Sequence, residues 1–316
     1  MKVYDAAATA ALLPYVPLSE EIAGVLAAKA RGEVNVPERL SLSLPGGGVL
    51  LVMPATDGGL AVTKLITVSP GNSGLGLPLI QGEVDVMRAA TGERLGLLDG
   101  PEVTARRTAA ASLLAAELLA PEPQGPLLVV GSGVQALSHS MAFHAGLGVR
   151  EVFVCARDSA KAEALAERLR GAGVPAQSVA RPEDVLDQAT LIVTATNSPT
   201  PVIPESVRDD AFIAAIGSFS PERAEIPASL VRRCRLFTDS LDGARTEAGD
   251  LLLAGVDWSE VTPLEQVCIA RSSLGGPEGA EEVALAHRGP VLYKAVGCAA
   301  LDLAAARLAF GVVQAG

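Results

Sequence analysis

Gly131-Ser132-Gly133-Val134-Gln135-Ala136 sets a G-x-G-x-x-A spacing between the apolar run Leu127-Leu-Val-Val130 and an apolar-periodic stretch. In such a turn the first glycine permits the bend and the second lets backbone approach a pyrophosphate. The small third residue lets helix pack close on strand, and the free N–H groups of the helix face the phosphates. The pattern lies at a strand-to-helix junction within an alternating α/β region, which separates it from a chance match in a chain with 32 glycines. It predicts a dinucleotide site.

The next strand of such a unit sorts the dinucleotides: a terminal acid binds the ribose 2′-OH of NAD, whereas an arginine accommodates the 2′-phosphate of NADP. Here the strand over 151–156 ends on Ala156, and Arg157-Asp158-Ser159 follows. A guanidinium suits a phosphate and Ser159 adds a hydroxyl, so NADPH is expected, with NADH possible. In the competing reading Asp158 takes the ribose and Arg157 is merely solvated.

A hydride donor needs an acceptor. The first third of the chain offers cations in unusual places: Lys64 mid-strand, Arg39 at the start of an alternating strand, and Arg106-Arg107 near the start of an Ala-rich helix. Each has a plain alternative, since lysines snorkel from strand edges and arginines at helix starts are often exposed. Together they suggest a carboxylate pocket.

The bulk composition narrows the field. A net charge of −11 argues against a nucleic-acid partner. No apolar run approaches the roughly 20 residues of a membrane span, and the N-terminus lacks a secretion signal. Cys155, Cys234, Cys268 and Cys298 are scattered, as are His139, His144 and His287, so neither a disulfide framework nor a metal cluster is expected. A cytoplasmic protein fits these features.

The elements that must position these groups follow from periodicity. Residues 6–13 and 19–30 read as helices, the second capped by Ser19. Residues 39–44, 49–53, 60–68, 79–87 and 94–98 read as strands joined by Gly-rich turns, an antiparallel meander. An Ala-rich helix over 102–119 and a proline linker lead to the nucleotide-binding strand. Strands at 151–156, 191–195, 212–216 and 235–238, with a helix at 159–170, call for a parallel sheet. A long Ala/Leu helix over 295–313 closes the chain. The expected fold is α/β: a Rossmann-type doubly wound sheet over 121–289, an α+β substrate and dimerisation domain with antiparallel strands over 1–120, and a segment over 290–316 returning to it.

Several stretches occur in an order that resembles the ornithine cyclodeaminase/mu-crystallin family. These are Lys64-Leu-Ile-Thr-Val-Ser-Pro70-Gly-Asn72, Gly76-Leu77-Pro78, Thr104-Ala-Arg-Arg107-Thr108-Ala-Ala110, the Gly131 turn with His139, Thr194-Ala195-Thr196, Glu247-Ala-Gly249-Asp250-Leu251 and Tyr293-Lys294-Ala-Val296-Gly297. The resemblance implies a homodimeric oxidoreductase acting on small α-imino or α-amino acids with a nicotinamide cofactor. It assigns the substrate carboxylate to Arg39, Lys64 and Arg107, with Lys64 near the reacting nitrogen and catalytic. It assigns the cofactor to Thr108, Gly131, Ser132, Gly133, Val134, Gln135, Arg157, Thr194, Ala195, Thr196, Gly217, Ser218 and Val296. Thr104 and Asn72 are lesser polar candidates, with loop or capping roles as the alternative. Asp250 and Glu247 are candidates for a supporting network or for helix caps, and His139 for a packed helix position.

Two departures narrow the activity. Cyclodeaminases and archaeal alanine dehydrogenases of the family carry an aspartate within G-x-D-x-P-G, where this chain has Phe219 in Gly217-Ser-Phe-Ser-Pro221. The cyclodeaminase glutamate before the M-P turn is Leu51 here. Without these acids a second ammonium has no counterion, and burying it unpaired is costly. A cyclic imine suits an apolar wall of Leu51, Met53 and Phe219. The chain looks most similar to the bacterial ketimine reductases that make L-proline and L-pipecolate. The alternatives are a cyclodeaminase or alanine dehydrogenase, and a cofactor-binding protein with little turnover.

Overall fold

The computed structural model describes residues 1–274 and 289–311. By contacts the chain divides into one unit of residues 1–108 with 298–316, and a second of residues 109–297.

The first unit is built on a six-stranded sheet. Its strands are β1 (Lys2–Val3), β2 (Leu40–Leu44), β3 (Gly48–Thr56), β4 (Leu60–Val68), β5 (Ile80–Arg88) and β6 (Arg94–Asp99), in the order β1-β6-β5-β4-β3-β2. The strands from β2 to β6 pair antiparallel, and β1 adds parallel to β6. In the central strands β3 and β4 buried and less buried positions alternate between an inward and an outward face. Leu51, Met53 and Ala55 of β3 point inward with Val62, Lys64 and Ile66 of β4. Helices α1 (Ala6–Leu12) and α2 (Tyr15–Ala30) lie between β1 and β2 in the chain. The terminal helix α10 (Ala299–Phe310) packs on α2, β3 and β4, and every residue from Ala299 to Ala306 is buried.

Two helix starts differ from the sequence reading. Ser19 is no cap: it is buried inside α2, which begins at Tyr15 after Pro14. Proline's fixed φ suits a helix start, which outweighs the local Ser-Glu-Glu signal. The final helix begins at Ala299 rather than 295, because Gly297 takes φ +82 and breaks the chain between β14 (Val291–Lys294) and α10. The end of that expected helix, residues 312–313, and His287 lie outside the described residues.

The long helix α3 (Gly100–Leu119) runs across the division between the units. The second unit holds an eight-stranded, all-parallel sheet. It comprises β7 (Leu127–Val130), β8 (Val152–Cys155), β9 (Ala176–Ser178), β10 (Leu191–Thr194), β11 (Phe212–Ala215), β12 (Arg235–Thr238), β13 (Val261–Pro263) and β14, in the order β13-β12-β14-β11-β10-β7-β8-β9. Every residue of β7, β8, β10, β11 and β14 is buried, which requires cover on both faces. This is a Rossmann-type sheet. Its strand order reverses between β7 and β10, so the ends of those strands form the switch point where such sheets take ligands.

Candidate active site

The dinucleotide turn lies at that switch point. Gly131 closes β7 with φ +133, and a Cβ there would collide with the Ala195 carbonyl at the end of β10. Glycine is therefore required sterically as well as conformationally. Nothing lies within 4 Å of where a Cβ on Gly133 would stand. Helix α4 (Val134–Leu147) begins there without a side-chain cap, and Gly133 and Val134 are exposed while Ser132 and Gln135 are half-buried. Ala136 is fully buried. Uncapped N–H groups beside an open glycine fit a pyrophosphate.

A buried acid organises the neighbouring strand ends. Glu225 accepts hydrogen bonds from Thr194 Oγ1 (3.1 Å), Thr196 N and Oγ1 (both 2.7 Å) and Gly217 N (2.6 Å). A Cβ on Gly217 would strike the Thr196 backbone, so these two segments pass at the closest possible approach. Burial holds the Glu225 carboxyl above its ordinary range. Asp250, in the first turn of α8 (Gly249–Ala254), accepts from Glu225 N (2.6 Å) and Ile226 N (2.9 Å) and faces Lys294 Nζ at 2.7 Å. Lys294 in turn donates to the Ser218 carbonyl at 2.6 Å. Asp239 accepts from Val296 N (3.0 Å) and Gly297 N (2.7 Å). Thus Thr194, Thr196 and Gly217 are fixed by Glu225, Val296 by Asp239 and Ser218 by Lys294, with Asp250 holding Glu225 and Lys294 in turn. Of the two roles open to Asp250, the network is the one it plays.

Other candidates fall as follows. Thr108 Oγ1 donates to the Thr104 carbonyl (2.7 Å) and Asn72 Nδ2 to the Pro78 carbonyl (2.7 Å). His139 is packed, its ring nitrogens at 2.8 Å from the Gln135 carbonyl and 2.9 Å from Ser112 Oγ. Burial pushes its pKa down to about 4, so it is neutral. Arg157 is exposed just beyond β8, and Asp158 caps α5 (Ser159–Gly171) through bonds to Ala160 N (3.0 Å) and Lys161 N (3.3 Å). Phe219 is exposed on the second unit.

The first unit brings the predicted cations together. Lys64 does not snorkel from an edge. It lies in the inward row Met53–Lys64–Val84–Leu98, cross-strand neighbours from four strands, and is fully buried. Its Nζ lies 2.9 Å from both Oδ1 and Oδ2 of Asp302, an equally buried acid on α10. Arg107, on α3, is buried beside them with Nε 3.4 Å from Asp302 Oδ1. Arg106 points elsewhere, bonding Glu102 and the Leu13 carbonyl and stacking on Tyr15. Burial first, then the Arg107 charge, pull the Lys64 pKa from 10.5 down to about 8; Asp302 opposes this, and Arg39 adds to it. Arg39, half-buried, is therefore near enough for its charge to be felt. Two buried cations against one carboxylate leave a positive excess in a mostly apolar setting, which attracts an anion.

Asp302 escaped the sequence reading. The signal was a lone acid inside an otherwise apolar stretch, Ala299-Ala-Leu-Asp-Leu-Ala-Ala-Ala306, since a buried acid demands a partner.

Residues 3–316 match the model of the ornithine cyclodeaminase/mu-crystallin family. The chain belongs to that family. Among its relatives, Δ1-pyrroline-2-carboxylate reductase 1 of Burkholderia multivorans is 42% identical over 307 residues, 97% of this chain and 94% of its own. The Δ1-pyrroline-2-carboxylate/Δ1-piperideine-2-carboxylate reductase of Azospirillum brasilense is 42% identical over 310 residues, with the same coverage of 97% and 94%. The structure of the Thermococcus litoralis Δ1-pyrroline-2-carboxylate reductase in complex with NADH and L-proline superposes with a TM-score of 0.88. It covers 98% of this chain and 96% of its own at 23% identity, a likeness of fold.

Proposed function

We propose that this protein reduces cyclic ketimines, Δ1-pyrroline-2-carboxylate to L-proline and Δ1-piperideine-2-carboxylate to L-pipecolate, with a nicotinamide cofactor. The observation that carries the reading is the buried Lys64–Arg107–Asp302 cluster, with Arg39 near enough for its charge to be felt and Met53 as the cross-strand neighbour of Lys64. The two relatives at 42% identity, both named as reductases of these imines, support it. Leu51 and Phe219 stand where acids would be needed for a second amine, so a cyclodeaminase reaction is disfavoured.

The dinucleotide is held by the Gly131–Gln135 turn, with Thr194–Thr196, Gly217, Ser218 and Val296 shaping the nicotinamide end. Bound there, a reduced nicotinamide supplies the hydride. Asp158 is engaged as the cap of α5, which leaves Arg157 for an adenosine 2′-phosphate, so NADPH is the favoured form and NADH a weaker one. Arg107 has its Nε toward Asp302 and no hydrogen bond on its terminal nitrogens among the described residues. That fork grips the substrate carboxylate with Arg39. Lys64, with a pKa of about 8, is largely an ammonium near neutral pH yet releases its proton readily. It protonates the imine nitrogen, which makes the ring carbon electrophilic.

The protein acts as a homodimer through the outward face of the first unit's sheet. Leu40 and Leu42 on the edge strand β2 and Leu65 on β4 are exposed there beside half-buried Leu50 and Val52, an apolar patch that calls for a cover. A reducing cytoplasm suits its free cysteines.

The test is oxidation of NADPH and NADH against a panel of cyclic imines, with L-ornithine and L-alanine run in the reverse direction. Turnover with the five- and six-membered ketimines is expected. Ammonia release from ornithine or alanine without ketimine reduction would overturn the reading.

A further inference from the structure

Lys64 sits at an inward position of a central strand, with Met53 and Val84 as its cross-strand neighbours. A side chain placed there without a partner would shed its proton and become an apolar amine. The charged groups that face it are Arg107 from α3, Arg39 ahead of β2, and Asp302 from α10, and the two arginines both disfavour the ammonium. Among the described residues Asp302 favours it, from 2.9 Å on each carboxylate oxygen. The same Oδ1 lies 3.4 Å from Arg107 Nε.

We infer that Asp302 is the positioning residue of the reaction: it keeps Lys64 protonated and aimed, and orients Arg107 by its Nε edge so that the guanidinium fork faces the substrate carboxylate. The inference rests on the ketimine-reductase reading and deepens it. In the step it serves, an N–H bond on Lys64 Nζ breaks as one forms on the imine nitrogen. Lys64 is left as an amine beside the Asp302 carboxylate and regains its proton from water. The substrate carbon takes the hydride that the proposed activity provides.

The lysines of the chain are Lys2, Lys29, Lys64, Lys161 and Lys294, so ε-13C-lysine labelling gives a spectrum simple enough to follow Lys64, identified by its loss in Lys64→Met. In Asp302→Asn the Lys64 titration midpoint is expected to fall by about one pH unit or more, the usual effect of removing an opposite charge at contact. The alkaline limb of kcat/KM should move down with it, making kcat/KM at pH 8 roughly fivefold lower or more. Asp302→Glu, which keeps the charge, should restore most of both.

A merely structural Asp302 would lower the melting temperature of Asp302→Asn and leave the Lys64 midpoint within about 0.3 unit of wild type, well below the shift expected at contact. That result overturns the inference. If Asp302→Asn does not fold, the Lys64→Met/Asp302→Asn double variant decides. Its recovery shows that the acid is there for the lysine, and its failure refutes the pairing. Should wild type reduce no ketimine while the Lys64 midpoint still falls in Asp302→Asn, the functional reading fails and the pairing stands.

Discussion

Arg107→Met separates the two effects that the guanidinium exerts. The substitution keeps a long apolar stem while removing one charge from the cluster. It leaves Lys64 and Asp302 as a matched pair, so the fold is expected to survive. A buried charge-assisted hydrogen bond is worth about 1.5–3 kcal/mol. Losing a forked pair to the substrate carboxylate therefore removes roughly 3 kcal/mol of binding, about a hundredfold in kcat/KM, expressed mainly in KM. The second effect has the opposite sense. Arg107 is the largest charge pulling Lys64 down to about 8, so its removal lets the lysine titrate higher. The alkaline limb of kcat/KM, which reports the free enzyme, should move to higher pH in Arg107→Met and to lower pH in Asp302→Asn. The substrate's own titration is common to all variants and cancels. Stopped-flow or steady-state rates from pH 6 to 10 measure both limbs. An Arg107→Met enzyme with near-normal KM, or with an alkaline limb unmoved or shifted downward, would refute the geometry argued for the cluster.

Other sites give independent checks. Arg157→Ala should raise KM for NADPH roughly 10- to 100-fold, one or two charge-assisted bonds, and leave NADH within about twofold; equal effects on both cofactors would remove the 2′-phosphate assignment. Leu42→Glu places a charge in the middle of the exposed leucine face and should yield a monomer by light scattering where wild type is a dimer, and a monomeric wild type would defeat the interface. His139 has a folded pKa of about 4 against 6.5 unfolded, so its contribution is present above pH 6.5 and is lost as pH falls through 4. At about 1.4 kcal/mol per unit that is about 3 kcal/mol. In His139→Gln the difference in melting temperature from wild type should narrow over that window, and a constant difference would mean that the ring titrates normally.

Local patterns were legible wherever the physics is local. The hairpin of β3 and β4 was readable because alternation meets Asp57-Gly58-Gly59, and Asp57 Oδ1 does accept from Gly59 N (3.0 Å) and Leu60 N (2.8 Å). The βα turn was readable because its glycines are demanded by backbone geometry. Three features were not. β1 is two exposed residues that pair in parallel with a strand more than ninety positions on. The short β9 and β13 carry no periodicity. The insertion of β14 between β11 and β12 is set by tertiary packing alone. In the site, cations could be picked by type, but the acid that organises them is 238 residues from Lys64. No spacing rule reaches that far.

The two fully buried lysines show why a buried ion pair does not by itself mark a functional site. Each faces one aspartate across a short contact, Lys64 with Asp302 and Lys294 with Asp250. Around Lys294 the balance is acidic: Glu225 lies close enough for the charges to interact, and the acids are absorbed by backbone N–H groups at strand ends. The work of that set is to fix Gly217 and Ser218. Around Lys64 the balance is cationic: Lys64 and Arg107 both face the single carboxylate of Asp302, and Arg107 Nε is buried without a hydrogen bond. A folded chain retains such an excess only at a cost in stability. An anion with the charge of a carboxylate, bound there as proposed, would lower that cost. The excess positive charge, rather than the presence of a buried lysine, is what distinguishes the Lys64 cluster and supports the proposed anion site.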